Sequence, residues 1–99
     1  MFALISISNS KNKKFDILLF QDGIQIKKLS FGDSRYEDFT QHHDEIRKML
    51  YDSRHKKLED WDDPFTKGFW SKHLLWNKET LRESADDIEH NYSIPIYFI

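Results

Sequence analysis

Asp22-Gly23 stands between two strand-like runs, FDILLF (15–20) and IQIKKLSF (24–31). A two-residue hairpin needs positive φ at both turn positions, and Asp-Gly meets that need at little steric cost. The dipeptide therefore predicts that the two runs fold back on each other as antiparallel strands. In the second run Ile24 and Ile26 alternate with Gln25 and Lys27, and Leu29 and Phe31 resume the period after a Lys pair. Such alternation marks a half-buried strand. Upstream, Phe2, Leu4, Ile5 and Ile7 precede a polar break, SNSKNKK (8–14). Residues 1–32 thus read as a three-stranded antiparallel meander with one polar face.

GDSRYED (32–38) is a turn cluster, and a helix is expected over residues 37–57. Thr40 is its expected N-cap, with Asp44 and Glu45 early, where the helix dipole favours anions. Phe39, Ile46, Met49 and Leu50 fall at helical spacing, and Arg54, His55, Lys56 and Lys57 place cations at the end. Residues 58–66 form an acidic turn broken by Pro64. Thr66 is positioned to cap a second helix, KGFWSKHLLWN, in which Gly68 is a weak point. Its Phe69, Trp70, Leu74, Leu75 and Trp76 wrap around much of the circumference, as in a helix contacted on several sides. Thr80 with Glu83 has the spacing of a capping box for a third helix bearing Leu81, Ala85 and Ile88. The two helices together span 67–90. SIPIYFI (93–99) reads as a C-terminal strand, which Pro95 restricts to a sheet edge or a strand end.

The expected fold is one α+β domain over residues 1–99: a small antiparallel three-stranded meander, a possible C-terminal edge strand, and two to three helices on one face. A chain of 99 residues buries roughly two-thirds of its unfolded surface. Only 38% of the residues are apolar, so the eight Phe, four Tyr and three Trp must supply much of the core. The stretch DWDDPFTKGFWSKHLLWNK (60–78) holds all three Trp.

With no Cys, disulfides, thiolate metal sites and Cys nucleophiles are excluded. A net charge of −2 argues against a nucleic-acid coat, whose affinity comes largely from neutralising phosphates. MFALISIS lacks the basic start of a signal peptide, and no run approaches the length of a membrane span. Phosphate-cradling glycine motifs and the G-x-S-x-G elbow are missing. His42 and His43 point about 100° apart on a helix, so a shared ion is disfavoured. His73 lies inside the aromatic helix, where a hydrogen-bonded packing role is expected. Glu59, Asp60, Asp62 and Asp63 lack the spacing of a calcium loop and read as solvated acids. A one-metal nuclease built on His43, His55 and Asn77 has no supporting motif. No cofactor, metal or small molecule is implied.

Basic and aromatic residues interleave between Arg54 and Lys78. Arg54, His55, Lys56, Lys57, Lys67 and Lys72, with Trp61, Trp70 and Trp76, are the candidate interaction residues. Exposed, they would dock a partner or stack bases; buried, the rings would simply be core.

The block 31–78 also resembles a family of short uncharacterised proteins encoded by large nucleocytoplasmic DNA viruses of algae and amoebae. The resemblance rests on Phe31-Gly32, Asp38-Phe39-Thr40 with His42, and Tyr51 through Arg54-His55. It continues in Trp61 with Pro64, and in Gly68 to Ser71 ahead of Leu74 to Asn77. It implies a viral origin and a shared small fold, and no activity.

The expected function is that of a non-catalytic interaction protein, a minor structural component of a large DNA virus particle. Its partner would be a viral structural protein or a second copy of itself. The alternative is a nucleic-acid module using the basic and aromatic face. The expected location is the virion or the infected cell's cytoplasm or nucleus, without secretion.

Overall fold

A computed structural model describes residues 1–99. Four strands form one mixed sheet in the order β3-β2-β1-β4: β1 Phe2–Ile7, β2 Lys13–Gln21, β3 Ile24–Asp33 and β4 Ile96–Phe98. The hairpin joins β2 to β3 where the turn chemistry demands, with φ of 52° at Asp22 and 78° at Gly23. β1 pairs antiparallel with β2. The C-terminal strand takes the edge beside β1, and it runs parallel, which makes the sheet mixed rather than purely antiparallel. Pro95 sits just outside β4 and contributes only its carbonyl, which accepts from the Ala3 amide at 2.9 Å.

Alternation along β1 and β2 sends Ala3, Ile5, Ile17 and Leu19 inward, where all are fully buried. Leu29, Phe31 and Ile96 join them from β3 and β4. The opposite face is polar at one end only. There Asp16 accepts from Ser8 at 2.7 Å and Ser30 at 2.5 Å, and the two hydroxyls, Ser30 foremost, hold its carboxyl below the usual range. At the other end Phe2 stacks on Phe20 with centroids 4.9 Å apart, beside the Leu4–Leu18 pair. The expectation of one polar face therefore fails for half of the sheet.

The helical part differs from expectation at its start. Residues 37–57 form two helices, α1 (Phe39–His42) and α2 (Glu45–His55). Asp38, not Thr40, caps α1, accepting from the Thr40 amide at 2.9 Å. His43 turns left-handed at φ 54°, and Asp44 caps α2 by accepting from the Ile46 and Arg47 amides. Asp38 wins over Thr40 because its carboxylate also receives the Lys14 ammonium at 2.6 Å. Ile46, Met49 and Leu50 share the expected periodicity, yet they remain 70%, 66% and 52% exposed. Of the α2 residues only Tyr51 is buried.

Thr66 and Thr80 cap as expected. Thr66 accepts from the Phe69 amide and starts α3 (Lys67–Trp70), and Thr80 accepts from the Glu83 amide and starts α4 (Leu81–Tyr92). Between them α3 widens into a π-helical turn, Ser71–Leu75. Phe69, Trp70, Leu74 and Leu75 fill the space over the sheet together with Ala85 and Ile88 of α4. Aromatic bulk thus closes a core that the low apolar fraction would otherwise leave thin.

The Lys14–Asp38 pair ties β2 to α1 almost out of water. Removing one member strands the other charge, at a cost of about 3–5 kcal/mol. Asp38→Ala is expected to lower the unfolding free energy by about that amount, read by urea titration; a loss below ~1 kcal/mol would show the pair to be effectively solvated.

Candidate functional site

α2 has two sides, and each meets a different surface. Its inner side borders a cleft of about 360 Å³. The β2 start and β3 end form one wall, with Lys13, Lys14 and Phe31 to Asp33, and Tyr36 to Asp38 continue it. Tyr51, Arg54 and His55 of α2 face this wall, and Ser71 and Leu75 of the π-helical turn, with Trp76 just after it, close the cleft together with Glu59 and Lys67. A widened turn re-aims side chains relative to a regular helix, and such turns recur at functional sites.

A column of rings stiffens the cleft. His55 stacks on Tyr51 at 4.1 Å, Tyr51 on Trp76 at 4.4 Å, and Trp76 meets His42 at 5.2 Å. Burial pushes the Tyr51 phenol well above its ordinary value, so it stays neutral. Glu59 holds the lower end, lying 3.4 Å from His55 Nδ1 and accepting from Trp61 Nε1 at 3.0 Å. Gly68 leaves the room for it, since a Cβ there would come within 2.9 Å of the Glu59 carboxyl carbon. What reads as a weak point in the helix is a close approach.

The candidate interaction residues separate into two groups. Trp70 is fully buried and donates to the Pro64 carbonyl at 2.7 Å, so it belongs to the core and offers no surface. Lys72 is 14% exposed, bridges to Asp52 at 2.7 Å and lies 5.1 Å over the Trp61 ring. It is an internal strut between α2 and the π-helical turn, not a phosphate ligand. Trp76 is covered on one face by Tyr51 and has the tilted His42 ring 5.2 Å away, and Trp61 is half-buried under Lys72. The three tryptophans are accordingly engaged by the protein's own groups: Trp70 in the core, Trp76 by Tyr51, and Trp61 by Lys72. Arg54, Lys56, Lys57 and Lys67 are exposed, and His55 is half-buried.

His43, His55 and Asn77 do not converge. His43 bonds the Thr40 carbonyl, His55 meets Glu59, and Asn77 donates to Asp87 at 2.8 Å. No group of three or more His, Asp or Glu side chains is arranged to hold a metal ion. No helix is long and apolar enough to cross a membrane. Sequence reasoning missed Tyr51, Glu59 and Ser71 as cleft residues. The three come together only through the packing of α2 on the π-helical turn.

α2's outer side presents Ile46, Met49 and Leu50 to solvent, with Leu58 exposed beyond its end. Acids stand at its start, Asp44 and Glu45, and cations at its end, Arg54, Lys56 and Lys57.

Two half-buried imidazoles contribute to the response to acid. Burial lowers the His73 value, against the partial offset of its 2.7 Å bond to the Trp61 carbonyl. Burial and then Arg47 lower that of His42. The unfolded chain therefore binds more protons below its ordinary histidine value of about 6.5, and stability falls as pH drops through that value. The urea midpoint is expected to decrease between about pH 7 and 5, above the range where carboxylates titrate. His73→Gln, which keeps a donor for Trp61, should flatten part of that slope; an unchanged slope would place the titration elsewhere.

A family model described as a family of unknown function, DUF5754, matches residues 3–55. No curated protein and no solved structure matches the chain. The matched segment carries β1 to β3, α1 and α2, and so holds one wall of the cleft and the outward stripe of α2. Because the match spans more than half of the sequence, the chain belongs to the DUF5754 family of unknown function.

Proposed function

We propose that the protein is a non-catalytic interaction protein, a minor structural component of a large DNA virus particle, and that it self-associates through α2. The particle setting rests on the resemblance carried by residues 31–78. The self-association rests on one observation, the outward stripe of Ile46, Met49 and Leu50. Three large apolar side chains at i, i+3 and i+4 on a helix are normally a buried face. Here they have no partner within the chain.

Charge selects the occupant. α2 is acidic at its start and basic at its end. A second copy laid antiparallel across it brings Asp44 and Glu45 against Lys56 and Lys57, and a parallel one opposes like charges. An antiparallel twofold contact is self-complementary, the commonest symmetry of small assemblies. Each side chain contributes about 1.5–3 kcal/mol if fully covered. Six across the pair give about 9–18 kcal/mol, a range that overlaps an association cost of roughly 4–15 kcal/mol, so the dimer is weak and readily exchanged for packing in a larger assembly.

Sedimentation velocity over a concentration series is expected to show a monomer–dimer equilibrium. Met49→Glu with Leu50→Glu should abolish it and leave the thermal midpoint nearly unchanged, as for exposed positions. A wild-type chain that stays monomeric at its highest soluble concentration overturns the self-association. Mass spectrometry of purified particles tests the setting, and absence of the chain from mature particles overturns it.

A further inference from the structure

We infer that the cleft on the inner side of α2 binds a phosphate group carried on a small molecule. The inference rests on the charges of the cleft and is independent of the docking face on α2's other side.

Every carboxylate lining the cleft already has a partner. Asp38 takes Lys14 at 2.6 Å, Asp33 takes Arg35 at 2.8 Å, and Glu37 lies 3.9 Å from Arg47. Glu59 accepts from Trp61 and faces His55. The Arg35 bonds, with a smaller contribution from the charge of the cross-strand neighbour Lys13, hold the Asp33 carboxyl down at about 2.

Three cations of the same cleft make no direct ion pair, although Lys13 feels the charge of Asp33 across the strands. Lys13, Arg54 and Lys67 all line it, and none of them forms an ion pair or a side-chain hydrogen bond. They come from three separate elements: β2, α2 and the start of α3. The fold therefore brings these cations to one concavity whose four carboxylates, Asp33, Glu37, Asp38 and Glu59, are each already engaged, and they are the groups free to meet an incoming anion. Three positive charges match a phosphate dianion better than a single carboxylate, and guanidinium with ammonium groups is the usual donor set for phosphate oxygens. The volume, about 360 Å³, lies in the range of small-molecule sites.

The walls favour a compact ligand over a strand of nucleic acid. Tyr51 stacks between His55 and Trp76, which leaves Tyr36 as the exposed ring of the lining, and one ring cannot stack successive bases. The locked geometry of Tyr51 and Trp76 instead keeps the cleft from collapsing when it is empty, which lowers the cost of ordering on binding.

The test is a titration of the full chain followed by two-dimensional amide NMR, with inorganic phosphate, a nucleoside monophosphate, the matching nucleoside and a short single-stranded oligonucleotide as probes. Saturable shifts are expected at Gly32, Arg54 and Lys67 for phosphate and the monophosphate, and none for the nucleoside. Arg54→Ala and Lys67→Ala should each weaken binding about tenfold. Lys56→Ala with Lys57→Ala, outside the cleft, should change it less than about twofold. Equal weakening by both sets would mean diffuse charge attraction and overturn the site. So would non-saturating shifts, or an oligonucleotide that binds far more tightly than the monophosphate. Retained dispersion of the variant spectra establishes that lost binding is not lost folding.

Discussion

The Lys14 ammonium leaves β2, crosses the gap between sheet and helices, and meets the Asp38 carboxylate at 2.6 Å with Gln41 at 2.7 Å beside it. Each partner is nearly sealed from water, so neither charge is tolerable alone. The same carboxylate nucleates α1, and α1 sets the entry angle of α2. One wall of the cleft, the ring column and the outward stripe all take their places from that contact. It also accounts for a cap position that the local pattern misplaces. Thr40 is a good cap in isolation, but its hydroxyl donates to Asp38 instead.

α2 is unusual in how little of it the core uses. The helix is held by Tyr51 on Trp76, by Lys72 to Asp52, and by Lys48, whose ammonium reaches the Asn77 carbonyl at 2.7 Å and lies over Phe39. These are polar and ring contacts along one edge. The aliphatic residues are left free. A helix attached this way can offer one side to a cleft and the other to a neighbouring surface.

Local chemistry made much of the fold legible. The Asp-Gly turn, the Thr66 and Thr80 caps and the period-two runs act over a few residues, and the structure follows them. Periodicity found the stripe of Ile46, Met49 and Leu50 but carries no sign. It says that these residues share a face, not that the face points inward. The core over the sheet was already filled by the denser rings of α3 and its π-helical extension. Likewise the apolar run FDILLF fixes a strand, but Leu18 and Phe20 on its far side reveal themselves only once the register with Leu4 and Phe2 is known. Of the site, Arg54, His55, Lys67 and Trp76 were visible as residue types. Tyr51, Glu59 and Ser71 were not, because contacts between distant segments create their role.

The pairing of β4 with β1 joins nearly the first residues of the sequence to nearly the last: Ala3 lies against Ile96, 93 positions away. Such a contact closes a very long loop and is expected to form late. As the chain emerges from the ribosome, β1 to β3 are made first and the outer edge of β1 stays open throughout. An unpaired edge invites other strands. The last few residues therefore act as a latch on the sheet. Until they arrive, each nascent chain exposes a strand-shaped vacancy that a neighbour's C-terminal segment would fit equally well.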